Sequence, residues 1–332
     1  MTALSGDSQS IGSSRPYLTL VLVDRGEGFL RGCSGALIAR EWVVTSANCV
    51  ANLNARASVT VEFNDARETT AEVRRVVIDP LHEPGDAVRN SVALLGLASR
   101  TRVAPIRIAR NPAVTARNRP ILVSGIGTTC TGCRDNQART GRTTLMADDD
   151  VAGILEELRF VDERPTGVHL ERLMLTRGDV GLCDFDYGAP LTTPGKRAQL
   201  VGIGLSSIKP VTAPACTRAT DGNHYVFAVD LVTSRTARWV QRTARAPKAA
   251  RCGGQRATIV GTNSSDIILG TDGRDVIVTG GGADTVYAGG GNDLICTGAG
   301  GDRIDGGSGT DTCIGGAGRD RATGCERRRQ IP

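Results

Sequence analysis

Short apolar runs dominate the first two thirds of the chain: YLTLVLV, SGALIA, WVVTSA, SVTVEF, AEVRRVVI, SVALLGL, RPILVSGIG and QLVGIGLSS. They are rich in Val, Ile and Leu and are separated by Gly, Pro, Asn and Asp, which is the pattern of strands and turns. No helical patterns alternate with them, so this part reads as an all-β barrel or sandwich. Val229–Arg242 differs, because Val229, Val232, Ala237, Trp239 and Val240 recur at roughly helical spacing and predict a closing helix. From Gly261 the pattern changes to a period of nine: GTNSSDIIL, GTDGRDVIV, TGGGADTVY, AGGGNDLIC, TGAGGDRID, GGSGTDTCI, GGAGRDRAT. The sixth position is always aspartate: Asp266, Asp275, Asp284, Asp293, Asp302, Asp311 and Asp320. The eighth is small or apolar: Ile268, Ile277, Val286, Ile295, Ile304, Cys313 and Ala322. Glycine fills the fourth in all but the first repeat, where Thr262 and Ser264 depart from the pattern as a capping turn would.

The boundaries follow from these shifts. Residues 1–10 are a polar tail, 11–243 the strand-rich domain, 244–260 a small-residue linker, 261–326 the repeat and 327–332 a basic tail. The formal charge of +5 is uneven. The segment Gly261–Glu326 holds ten Asp and Glu against four Arg, a net −6, which leaves +11 on the remainder. Almost all the basic residues are arginine, scattered apart from Arg327–Arg329, so no nucleic-acid surface is expected. No apolar run is long enough to span a membrane, and a monomer is expected. Met1–Ser14 has no apolar core like that of a signal peptide. The ten cysteines argue for an oxidising compartment all the same. A secreted or cell-surface protein is expected, its signal removed or lying upstream of Met1.

Chemistry enters at Gly181–Leu191, GLCDFDYGAPL. It resembles the active-site loop C-x-G-D-S-G-G-P-L of chymotrypsin/trypsin-like (S1) serine proteases. Cys183, Asp186, Gly188, Pro190 and Leu191 match, while Tyr187 stands at the nucleophile and Phe185 and Ala189 replace glycines. CSGALIAREWVVTSANCV resembles C-G-G-S-L-I-x-x-x-W-V-L-T-A-A-H-C, with Asn48 at the histidine. NSVALLGL resembles N-D-I-A-L-L-x-L, with Ser91 at the aspartate. VSGIGT and LVGIGLS resemble the family's S-G-W-G-x-T and cleft-wall strand. The resemblance covers about Ile11–Arg242 and implies two six-stranded β-barrels face to face with a C-terminal helix. It also implies disulfides Cys33–Cys49 and Cys183–Cys216. Cys130 and Cys133 have no counterpart; a local disulfide, a redox pair and half a metal site remain open.

The family mechanism needs a serine, an imidazole and a buried carboxylate. Asn48 is an amide and no base, Ser91 carries no charge, and Tyr187 is a phenol with nothing to activate it. No catalytic residue is therefore assigned. Asp86, Ser46 and His224 are the nearest candidates for a rescue, and none has the partner it would need. The expected role is binding, adhesion or regulation toward an unknown protein or surface ligand; the alternative is a serine-type endopeptidase with an atypical site.

The nine-residue unit is similar to the haemolysin-type (RTX) repeat, which implies a parallel β-roll and Ca2+ as its ion. Two units make one turn, so Asp266, Asp284, Asp302 and Asp320 stack along one edge and Asp275, Asp293 and Asp311 along the other. Stacked carboxylates about 5 Å apart repel by about 3 kcal/mol at an effective dielectric of 20. A cation taking six to eight oxygens relieves that repulsion. Three adjacent pairs on one edge and two on the other give five interior sites. Cys252, Cys296, Cys313 and Cys325 allow three pairings; Cys252–Cys296 with Cys313–Cys325 is the one expected.

Overall fold

The computed structural model describes residues 12–26, 30–67, 69–82, 91–116, 118–127, 137–146, 173–178, 187–208, 224–245 and 249–331, with strand pieces at 5–6, 9–10 and 180–181. The first barrel is built from β1 (Leu18–Asp24), β2 (Leu30–Ala39), β3 (Trp42–Ser46), β4 (Ser58–Phe63), β5 (Thr70–Ile78) and β6 (Val92–Leu97). Its antiparallel order is β5-β4-β1-β2-β3-β6, and β5 pairs β6 to close it. Period two explains the geometry. In β4, Val59, Val61 and Phe63 are buried and alternate with Ser58, Thr60 and Glu62. In β6 every residue is buried, because both faces are covered. Ala93, Leu95 and Leu97 fill the barrel, while Val92 and Leu94 point into a second cluster.

That second cluster joins the two barrels. Trp42, Val44 and Leu94 meet Leu200, Ile203, Leu205 and Val229 there. Burying one such leucine or isoleucine stabilises by about 1.5–3 kcal/mol. The second barrel comprises β7 (Pro120–Gly127), β8 (Gln137–Leu145), β9 (Leu173–Gly178), β10 (Pro190–Thr192), β11 (Gln199–Ile208) and β12 (His224–Asp230). Its order is β7-β10-β11-β12-β9-β8, closed by β7 with β8. The two six-stranded barrels are those expected from the sequence. After α1 (Ala47–Val50), the next α-helix among the described residues, α2 (Arg235–Thr243), follows the second barrel and buries Ala237 and Val240. It starts later than the apolar spacing suggests. Val229 and Asp230 belong to β12, and Asp230 accepts from the amides of Val232 and Thr233, forming a turn before the helix. Ser234 then caps it, accepting from the Ala237 amide at 3.0 Å.

The repeat forms a two-faced parallel roll. One face holds β13 (Ile259–Val260), β15 (Val276–Gly281), β17 (Leu294–Ala299), β19 (Thr312–Ala317) and β21 (Arg327–Arg329). The other holds β14 (Asp266–Thr271), β16 (Thr285–Gly289), β18 (Arg303–Asp305) and β20 (Arg321–Thr323). Residues assigned from the sequence to a linker and a basic tail thus carry the roll's first and last strands. Ile259, Ile268, Ile277, Val286, Ile295, Ile304 and Cys313 stack between the faces. Cys252–Cys296 and Cys313–Cys325 are bonded, as is Cys33–Cys49 in the first barrel.

Barrel and roll share a sheet. β4 covers β5 only from Thr70 to Glu72. Beyond it, Arg75, Val76 and Val77 pair antiparallel with Ile268, Ile267 and Asp266. An edge that would otherwise present unpaired amides and carbonyls is thereby covered. Arg75, stacked 4.5 Å from the Trp42 ring, donates to the Val260 carbonyl. Trp239 donates to Ser264 at 3.3 Å, and Leu269 packs into the first barrel's core. Among the described residues no helix is long and apolar enough to cross a membrane.

Candidate functional site

Asn48, Ser91 and Tyr187, at the positions where the resemblance implies a catalytic triad, are held in a well-defined frame. β3 ends at Ser46 and passes into the single turn of α1, which carries Asn48 half-buried. Ser91, fully buried, lies just before β6. Its hydroxyl accepts from the Asn48 amide at 3.2 Å and shares a hydrogen bond of 2.9 Å with Ser46. Its carbonyl accepts from the Ala47 amide at 2.9 Å. The serine thus tethers the backbone around Asn48 without supplying a charge. Tyr187 is half-buried, and its ring packs against the first barrel's core. Its carbonyl accepts from the Ser34 amide at 3.0 Å. The Arg31 guanidinium sits 6.0 Å from the ring centroid. Burial, and then nearby Arg25, lower the Arg31 pKa below its ordinary value.

Gly188 shows why the frame persists. Its φ is +90°, and a Cβ there would lie 2.1 Å from the Ser34 carbonyl oxygen. Its amide donates to Gly204, and the Gly204 amide donates to Ala189, both at 2.8 Å, tying the loop to β11. Asp86, Cys130, Cys133, His169, Cys183, Phe185, Asp186 and Cys216 lie outside the described residues. His224 stands on β12. His82 lies in the turn after β5, its amide donating to Asp79.

The roll presents two ladders of buried carboxylates. The Asp266, Asp284 and Asp302 amides donate to Oδ1 of Asp284, Asp302 and Asp320 at 2.8, 2.9 and 3.0 Å. On the other edge, Asp275 donates to Asp293 and Asp293 to Asp311, at 2.7 and 2.8 Å. The seven predicted aspartates are all buried, and they stand on the two edges that the nine-residue period assigns. Asp266 Oδ1 and the Oδ2 atoms of Asp284, Asp293, Asp302, Asp311 and Asp320 have no hydrogen-bond partner. Burial pushes Asp284 up to about 7 and Asp266 and Asp293 to about 6, with hydrogen bonds opposing it. Neighbouring carboxylates raise Asp284 and Asp293 further.

These orphaned, buried oxygens fit a hard cation such as Ca2+. Among the described residues no three His, Cys, Asp or Glu side chains converge as a metal cluster. Carboxylates from adjacent turns would therefore need loop carbonyls to complete the ion's shell. The loops stack closely enough for that: a Cβ on Gly300 would lie 1.9 Å from the Gly282 oxygen. At the first two loops threonine replaces glycine. Thr262 and Thr271 each give an amide and a hydroxyl to their own Asp266 and Asp275. The capping role expected of the first repeat is thus shared by the second. The sequence reading missed Glu326, whose Oε2 accepts from the Asp311 amide at 2.7 Å. That amide lowers the Glu326 pKa.

Comparison with known proteins agrees with both halves. The trypsin family model matches residues 3–224. The model of the RTX calcium-binding nonapeptide repeat matches residues 260–295 and 297–322. Serine protease SP24D of Anopheles gambiae is 30% identical over 71% of this chain and 80% of its own length. Human granzyme M is 27% identical over 40% of this chain and 52% of its own length. Chymotrypsin-like elastase family member 1 of the dog is 32% identical over 30% of this chain and 42% of its own. Among solved structures, HL collagenase is 19% identical with a TM-score of 0.54, covering 72% of this chain and 98% of that one. The structure of GrC is 21% identical with a TM-score of 0.53, covering 72% and 99%. At such identities these structures speak for the fold alone. The chain therefore belongs to the trypsin family, and behind its two barrels it carries calcium-binding nonapeptide repeats folded as a roll.

Proposed function

We propose that this is a secreted, catalytically inactive trypsin-like protein whose barrels serve in binding, adhesion or regulation, with a calcium-loaded roll attached. The observation that carries this reading is the local arrangement at the altered positions. Proteolysis by this fold needs a base beside a hydroxyl nucleophile. Asn48 provides an amide, and the Ser91 hydroxyl is engaged by that residue's backbone and by Ser46. The Tyr187 ring is packed against the core, with the Arg31 guanidinium 6.0 Å from its centroid. Secretion is supported by the three disulfides among the described residues and by a roll suited to calcium-rich surroundings. Leu81 is the one large exposed hydrophobic residue among those described. Recognition by the barrels is expected to draw on the basic groups that the chain outside the repeat carries in excess.

The second reading, a serine-type endopeptidase with an atypical site, is favoured by the likeness to relatives such as serine protease SP24D. Its best local candidates, the Ser46 and Ser91 hydroxyls, are fully buried, which argues against their reaching a substrate. Purified protein is expected to show no hydrolysis of peptide esters or casein above background and no labelling by a fluorophosphonate. Stoichiometric labelling, or hydrolysis abolished by a single change in the cleft, would overturn the inactive reading in favour of the second.

A further inference from the structure

The ladder containing Asp275, Asp293 and Asp311 runs past the last repeat. Each of these aspartates immediately precedes a strand, and Val276, Leu294 and Thr312 stand side by side in parallel register. Thr312 is followed in that register by Arg327, and the residue before Arg327 is Glu326. The hydrogen bonds continue without a break. Asp275 donates to Asp293, Asp293 to Asp311 and Asp311 to Glu326, at 2.7, 2.8 and 2.7 Å. Only the spacing changes, from 18 residues to 15. The final loop is three residues short, and the longer glutamate side chain spans the difference. The Cys313–Cys325 disulfide holds the shortened loop against the turn before it. Backbone stacking also continues, since Gly306 donates to the Thr323 carbonyl at 2.9 Å.

Asp311 supplies the second observation. It is completely buried, and its Oδ2 has no hydrogen-bond partner. Asp293, one turn earlier, is in the same condition. We propose that Asp311 and Glu326 form an additional calcium site that closes the C-terminal end of the roll, with Glu326 as the eighth carboxylate of the ladders. Glu326 is exposed and its loop is short. The site draws on fewer loop carbonyls than the others and keeps more water, so it is the weakest and the last to fill. The inference rests on the calcium reading of the repeats.

The competing account makes Glu326 a plain acceptor for the Asp311 amide. Glu326→Gln separates the two, because the amide oxygen still accepts that hydrogen bond while the carboxylate is lost. Calcium titration of the full chain by calorimetry is expected to count one ion fewer in Glu326→Gln than in wild type, with the lowest-affinity step missing. Equal ion counts and affinities would overturn the site and leave the calcium roll standing; a wild-type chain that binds no calcium would overturn both. Amide exchange in the wild type provides a check that needs no variant. Residues 324–329 are expected to gain protection in the last part of the titration. Identical exchange there in chelator and in saturating calcium would also sink the proposal.

Discussion

The cleft and the roll treat their signature residues in opposite ways. At the positions where the resemblance places a catalytic triad, the frame is that of the family while the side chains are Asn48, Ser91 and Tyr187. Gly188 remains because Ser34 leaves no room for a Cβ, and the strand after Ser91 remains because it fills two cores at once. There Ser91 tethers the backbone around Asn48 and Tyr187 packs against the first barrel's core. Along the roll the scaffold cannot be kept without the chemistry. Each aspartate is a rung of the hydrogen-bonded ladder, and its buried carboxyl group stands close to the next one. Losing one would open the turn that its neighbour needs. Scaffold and chemistry are thus separable in the barrels and inseparable in the roll.

Removing calcium should break this contrast most visibly. In chelator at neutral pH the strands from Val276 onward are expected to lose much of their amide protection and stability, while the barrel strands keep theirs. Each ion at a concentration one hundred times its dissociation constant stabilises by about 2.7 kcal/mol. Barrels and roll melting together in chelator, at the temperature of the loaded protein, would contradict it. Gly188→Ala tests the other side. The new Cβ meets the Ser34 backbone, and a loss of about 2–4 kcal/mol in barrel stability is expected, unchanged by calcium. Gly300→Ala should instead appear only in the calcium-dependent transition, because its collision is with the Gly282 loop.

The response to pH sharpens the comparison further. Without calcium, the folded roll holds Asp266, Asp284 and Asp293 at about 6 to 7, whereas in the unfolded chain they titrate near 4. The folded state binds the extra protons, so this stabilisation is full below about pH 4 and is lost as pH rises through 6 to 7. Denaturant titrations in chelator should find the roll more stable at pH 5 than at pH 8. With calcium present the order should reverse, since the ion needs the ionised form. The smallest effect is expected from Tyr187→Ser. Hydrolysis should stay at background, because Asn48 still supplies no base, and a measurable rate on a peptide ester would show that the frame alone suffices.

Much of this was legible from residue order. The eight apolar runs named in the sequence all fall on strands, because at least one face of each is buried. The strand Gln137–Leu145 escaped notice, since Thr143 is buried there among exposed Arg142 and Thr144, and the inward positions are not markedly apolar. The strand His224–Asp230 ran into a helical spacing that began with its own Val229. Glu326 escaped because a loop shortened by three residues breaks the period that reveals its seven fellows. The junction left no local sign at all. Arg74 and Arg75 look like a solvated pair, but Arg74 donates to Gly270 and Arg75 to Val260, and which strand covers an edge is decided by the whole fold.

That junction also sets an order of events. Arg75 and Val260, joined across it, are 185 positions apart in sequence. During synthesis the first barrel is complete long before the strand that covers its edge has been made. Until then Arg75, Val76 and Val77 offer unpaired backbone to any passing strand, their own copy in a neighbouring chain included. The arrival of Asp266–Ile268 ends that interval. The roll therefore acts as a seal on the nascent barrel, and truncation before Gly261 should be felt first as self-association rather than as unfolding.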